Sequence, residues 1–288
     1  MKIINFLLNI YALIMARPWL ERFHQMVVML GMRGLGVFNA QNDRLSGEAH
    51  LIRKVYPTFI RNREPVVVDV GANVGHYSLS IRSKFPGAKI YAFEPNPPTY
   101  AKLATHACEG VKTINSAVGD AKGSLLLYDL AEGDGSELAS LYPEVIRDFN
   151  NMKVKSTKVD VIALDDFAGE EKIDFIDILK IDTEGHEYAV LKGAARLLAE
   201  NRVGCIHFEF NAMNVVSHTF LRDFRLLLKG YSFYRLLPSS LLPLSEKPFF
   251  TEVFGYQNIL AVPSEREPEK HRNRYWYRDV IATHGATL

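Results

Sequence analysis

The feature that most constrains this chain is Val66-Val67-Val68-Asp69-Val70 running directly into Gly71-Ala72-Asn73-Val74-Gly75. Four β-branched residues in a row of five, without polar alternation, read as a strand buried on both faces, as in a parallel sheet. The glycines permit a tight turn, and helical spacing resumes over 75–84. Strand, glycine turn and helix in that order open a β-α-β unit.

The unit repeats along the chain. Strand-like runs at 90–93, 112–118, 153–164, 175–181 and 203–210 are interleaved with helical spacing after Pro97-Pro98, over 184–199 and over 219–229, which Gly230 ends. Further strands are expected at 231–237 and 258–262, and a hairpin-like piece at 123–130. Such alternation predicts a parallel sheet covered by helices on both faces. Its ligands then bind beyond the carboxyl ends of the strands, just after Val70, Phe93, Val118 and Ile181. At 288 residues the chain can form one large α/β domain or two small ones. Lys plus Arg total 34 against 33 Asp plus Glu, so no broad basic field marks a nucleic-acid binder. The two cysteines, Cys108 and Cys205, offer no zinc spacing and suit a reducing, cytoplasmic compartment.

The glycine loop is not a dinucleotide fingerprint. That pattern needs glycine at 71, 73 and 76, and here the second and third positions are Asn73 and His76. Asp69 would also repel a pyrophosphate at the helix N-terminus. It suits a ligand with a cationic amino group, which points to S-adenosylmethionine held by Asp69, Gly71, Asn73 and Gly75. Glu94 ends the second strand and can accept hydrogen bonds from both ribose hydroxyls, a device NAD enzymes share. Asn115, Ser116 and Ala117, closing the third strand, stand where an adenine ring would lie, though turn chemistry explains them almost as well. A nicotinamide cofactor and a plain packing turn remain the alternatives.

Lys180-Ile181-Asp182-Thr183-Glu184-Gly185-His186-Glu187 crowds ionisable groups into the end of one strand and the first turn of the next helix. Thr183 as N-cap, with Glu184 and Glu187 complementing the helix dipole, accounts for most of it. Asp182, at the carboxyl end of the strand, is expected to face the cleft. His186 stands where a positive helix end favours neutral imidazole, able to accept a hydroxyl proton. Glu209, ending the next strand, can join either. Asp182, Glu184 and His186 offer oxygen and nitrogen to a divalent cation, but a single cluster does not establish one, and no metal is assigned.

The two ends differ from the middle. Residues 3–16 are apolar except for Asn5 and Asn9, which form a thin stripe on a helix. The run is shorter than the roughly 18 residues a spanning helix requires. It is either an interfacial helix giving peripheral membrane contact through residues 1–20, or a hairpin packed on the body or on a dimer partner. Residues 132–151 read as an insertion or lid, and 263–274 as a solvated tail of mixed charge.

The stretches 69–75, Phe93-Glu94-Pro95, 115–120 and 179–187, with Leu191-Lys192-Gly193-Ala194, together resemble the FkbM-like family of S-adenosylmethionine-dependent methyltransferases. The resemblance covers about 47–262, and Ser46-Gly47-Glu48 is similar to a short family element ahead of the domain. It implies a Rossmann-like, doubly wound, mostly parallel seven-strand sheet, here with an N-terminal helical extension. It also implies an enzyme that O-methylates sugars, glycolipids or polyketide products. The expected division is an extension over 1–46, a methyltransferase domain over 47–262 and a charged tail over 263–288. The expected partner is a small-molecule or glycan acceptor, with an oligomer open and nucleic acid excluded. Asp182, His186 and Glu209 are expected to face the acceptor hydroxyl. The rivals are a nicotinamide-dinucleotide oxidoreductase on a similar fold and a non-catalytic, cofactor-binding membrane-recruitment module.

Overall fold

The computed structural model describes residues 2–60, 62–130, 139–144 and 154–266. Its strands are β1 (Val66–Val70), β2 (Lys89–Phe93), β3 (Val111–Ile114), β4 (Ala117–Val118), β5 (Gly123–Leu130), β6 (Val154–Ile162), β7 (Ile176–Ile181), β8 (Val203–Phe210), β9 (Tyr231–Leu237), β10 (Ser240–Pro243) and β11 (Gln257–Pro263). The main helices are α1 (Lys2–Met15), α2 (Glu21–Gly34), α3 (His76–Lys84), α4 (Pro97–His106), α5 (Leu164–Glu170), α6 (Glu187–Lys192), α7 (Ala195–Ala199) and α8 (Leu221–Leu227).

The main sheet runs β10-β9-β11-β8-β7-β1-β2-β3. Strands β3, β2, β1, β7 and β8 are mutually parallel, and β11 is antiparallel to both of its neighbours. This is the doubly wound, mostly parallel α/β sheet expected, with one strand more than the predicted seven. The extra strand, β10, folds back on β9 as a hairpin edge. Side chains alternate between two helical layers. Val68 and Val70 pack with α5, α6 and α8 residues such as Phe167, Leu191 and Phe224, whereas Val67 packs with Tyr56, Tyr77 and Ile81 on the other face. All eight residues of β8 are buried, as a central strand covered on both sides must be.

Two predicted elements divide. The expected strand at 112–118 breaks, and its second half joins β5 and β6 in a separate three-stranded sheet. Side-chain hydrogen bonds turn the chain there. Asn115 Nδ2 donates to the Glu94 and Pro95 carbonyls, and Ser116 Oγ to those of Ala117 and Asp160. The expected helix at 184–199 is two helices, α6 and α7. Asp165 supplies the reason, since its carboxylate accepts from the backbone N–H groups of Arg196 and Leu197 and caps a fresh start. A β-carbon on Gly193 would meet the Gly119 carbonyl oxygen at 2.0 Å, so the backbones touch at the break.

At the N-terminus α1 and α2 meet at a 104° bend around Pro18-Trp19-Leu20, and no residue of α2 is buried. The buried body reaches back to Val37, inside the segment the sequence assigns to the extension. Most of the 132–151 insertion and the tail from 267 lie outside the described residues.

Candidate active site

The carboxyl ends of β1, β2, β7 and β8 open on one cavity of about 630 Å³, where a doubly wound sheet places its ligands. At its floor Gly71 adopts φ +80° and its N–H donates to the Phe93 carbonyl, bringing the turn against β2. Glu94 ties the adjoining loops together. Its Oε2 accepts from the Asn73 N–H at 3.0 Å and its Oε1 from the Asn96 N–H at 2.8 Å. Burial raises the Glu94 carboxyl to about 7 despite those bonds. Asp69 is buried with Oδ2 accepting from Ser78 Oγ at 2.7 Å, and burial lifts it to about 6.

Across the cavity, Lys180 Nζ lies 3.1 Å from Asp182 Oδ2. Burial alone would lower the Lys180 ammonium, but Asp182, Glu209 and Glu48 together outweigh it and hold the group charged. Glu209 and Glu184 are both pushed up, first by burial and next by the Asp182 charge. Glu48, from the turn Glu48–His50, is raised by burial to about 7. Such desolvated, mutually repelling carboxyls mark a site that gains by taking in positive charge.

His186 lines the same cavity, its Nδ1 3.3 Å from the Tyr142 hydroxyl, and its buried Nε2 has no hydrogen-bond partner among the described residues. The imidazole is neutral, as expected, but burial is the cause, lowering it to about 4. Thr183 is not the N-cap, since α6 begins at Glu187 with His186 as the capping residue. Glu187 instead folds back over the loop, its Oε1 accepting from Thr183 N, Thr183 Oγ1 and Gly185 N, each at 3.0 Å.

Asp69, Gly71, Asn73, Glu94, Ser116, Ala117, Asp182, His186 and Glu209 therefore line one cavity. Gly75 and Asn115 do not. Gly75, at φ +93°, is the turn residue that starts α3, and Asn115 is committed to the Glu94-Pro95 backbone. Asp182, Glu184 and His186 do not converge as metal ligands, and no group of three or more His, Cys, Asp or Glu among the described residues could hold an ion. The functional reading of the sequence omitted Lys180 and Tyr256. A lysine in the apolar run 176–181 was the available signal, since lysine is almost never fully buried unless paired. Tyr256, hydrogen-bonded to Glu209, carried no comparable signal.

A family model described as the methyltransferase FkbM domain matches residues 69–233, more than half of the chain. The chain belongs to the FkbM methyltransferase family. The matched segment begins at Asp69 and contains every cavity residue named above except Glu48 and Tyr256. Among curated relatives, "Methyltransferase sdnD" of Sordaria araneosa is 34% identical over 155 residues, covering 45% of this chain and 60% of that protein. "Hexuronic acid methyltransferase AglP" of Haloferax volcanii is 29% identical, covering 54% and 59%. "2-O-methyltransferase NoeI" of Sinorhizobium fredii is 23% identical, covering 50% and 63%. The chain thus spans about six tenths of the length of the curated relatives it matches.

Proposed function

We propose that this FkbM-family chain is an S-adenosylmethionine-dependent O-methyltransferase acting on a hydroxyl of a sugar, glycolipid or other secondary-metabolite acceptor. The observation that carries this reading is the charge of the cavity. Seven carboxyl groups, those of Asp43, Glu48, Asp69, Glu94, Asp182, Glu184 and Glu209, face it, and Lys180 is the one Lys or Arg among its lining residues. A phosphate-rich dinucleotide would meet repulsion there, whereas a cofactor carrying an ammonium and a sulfonium relieves the repulsion already present.

The residues present fit that cofactor. Glu94 is desolvated, and each of its oxygens holds a single backbone N–H, leaving further lone pairs for ribose hydroxyls. Asp69 accepts from the Ser78 hydroxyl and backbone N–H, and its carboxylate has lone pairs left for an ammonium. When bound, the cofactor supplies an activated methyl group on sulfur. The chain supplies alignment of the acceptor hydroxyl and a place for its proton. The Glu184 carboxyl, raised to about 8, is matched to taking a proton near neutral pH, and burial also raises Glu209 beside it. His186, at about 4, stays neutral, with its Nδ1 beside the Tyr142 hydroxyl.

The acceptor class rests on the relatives named for a hexuronic acid and for a 2-O position. Calorimetry with S-adenosylmethionine and NAD tests the cofactor. Binding of the first alone is expected, and binding of NAD alone would overturn the reading in favour of an oxidoreductase. Labelled-methyl transfer to glycan and lipid fractions tests turnover, and its failure with cofactor bound would leave a non-catalytic module.

A further inference from the structure

The N-terminal helices are the largest feature the methyltransferase site leaves unused. No residue from Ile3 to Ala16 is charged, yet α1 packs into no core. Phe6, Leu7 and Leu8 point in three directions about 100° apart, and they are 63%, 58% and 59% exposed. At 14 residues α1 is about 21 Å long, too short for a hydrocarbon core of about 30 Å. No single described helix is long and apolar enough to cross a membrane.

Charge indicates the kind of surface. Residues 2–34 carry Lys2, Arg17, Arg22 and Arg33 against the single acid Glu21. Arg17 and Arg22 flank the bend, where Trp19 is 77% exposed, an amphipathic ring suited to a headgroup layer.

The junction with the body is fixed. A β-carbon on Gly36, at φ +83°, would lie 2.6 Å from the Leu236 carbonyl oxygen, so the turn after α2 sits directly on β9. Buried Arg235 donates to the Leu35 and Phe250 carbonyls at 3.2 Å each, and neighbouring Phe249 is 82% exposed. Four residues beyond α2, the Phe38 N–H donates to the Tyr256 carbonyl, and Phe38 and Tyr256 both line the cavity.

We propose that α1 and α2, together with the Phe249 turn, dock on an anionic lipid bilayer and hold the mouth of the cavity beside it. Resting on the methyltransferase reading, the acceptor class this selects is the hydroxyl-bearing headgroup of an amphiphile held in that bilayer. The full chain is floated with vesicles of phosphatidylcholine alone and of phosphatidylcholine mixed with phosphatidylglycerol. It is expected to float with the mixed vesicles and far less with the neutral ones. Leu7→Asp with Ile14→Asp should abolish flotation while cofactor binding by calorimetry is unchanged. Arg17→Gln with Arg22→Gln should weaken it about 25-fold, roughly five-fold per basic residue. A chain that sediments away from both vesicle types, whether monomeric or as a stable dimer by light scattering, overturns the proposal. Flotation without S-adenosylmethionine binding would overturn the methyltransferase reading and leave the docking surface standing.

Discussion

A β-carbon on Gly71 would fall 1.7 Å from the carbonyl oxygen of Asp182. The glycine turn after β1 and the acid-bearing turn after β7 therefore touch through backbone alone, with no side chain between them. The Asp182 N–H donates to the Val70 carbonyl at 2.9 Å and completes the contact. This close approach lets two segments more than a hundred residues apart share one cavity.

Gly71→Ala should be the most damaging single methyl in the site. It combines a positive φ with a backbone clash that no rotamer change relieves, and a cost of about 3 kcal/mol or more is expected. Gly75→Ala has the same φ strain but meets only the movable Leu103 side chain, so it should cost less. Chemical denaturation of the two variants compares them.

Lys180→Met keeps the length of the side chain and removes its charge. Asp182, Glu209 and Glu48 then lose the cation that offsets them. Destabilisation of about 2–4 kcal/mol is expected, with Glu209 and Glu48 rising further. A thermal melt near pH 8 should show a larger defect than one near pH 6, because the unpaired acids must ionise.

The ligand-free protein should lose stability as pH rises from about 6.5 to 8. Glu48 and Glu94 move from 4.5 to about 7 on folding, so their contribution is complete below 4.5 and disappears as pH passes 7. His186 works in the opposite sense, moving from 6.5 to about 4, and its contribution is complete above 6.5. Above 6.5 the acids alone still change, so a fall of about 1 kcal/mol is expected from Glu48 and Glu94, and Glu184, raised to about 8, adds to it. Binding of a cationic cofactor should strengthen over the same window with release of protons. Calorimetry in two buffers of different ionisation enthalpy measures that release.

Glu209→Gln and His186→Ala separate the two groups proposed to face the acceptor. If the carboxyl group takes the proton, Glu209→Gln should lower turnover by about 10²–10⁴. His186→Ala should lower turnover less and leave cofactor affinity nearly unchanged. Lost cofactor binding in that variant would make His186 structural.

Glu94→Gln keeps the shape of a residue that accepts two backbone N–H groups. It should weaken cofactor binding about 10–100-fold through the lost charge-assisted bonds to ribose. The N–H of Asn73 reports the same change as an altered amide shift in the free protein.

Much of the architecture was legible because it is local. The Val66–Val70 run, its glycine turn and Glu94 at the end of β2 carry period, propensity and position within a few residues. What the chain order concealed were breaks set by distant partners: Asp165 capping α7 splits a helix whose own spacing is continuous, and Ser116, bonding to Asp160, moves β4 into a second sheet. Both depend on residues 30 or more positions away, beyond any period or propensity.

The site divides in the same manner. The amino-acid order by itself determined the β-α-β frame, the strand ends at which chemistry gathers and the acids placed there. Tertiary structure alone decided which of those groups meet. It buried Lys180 beside Asp182, brought Glu48 and Tyr256 to them from either side of the matched segment, and left Gly75 and Asn115 to hold turns. The reason is desolvation. A carboxyl becomes a proton acceptor near pH 7, or half of a cation site, only when packing removes water and brings up its neighbours, and no residue carries that information alone.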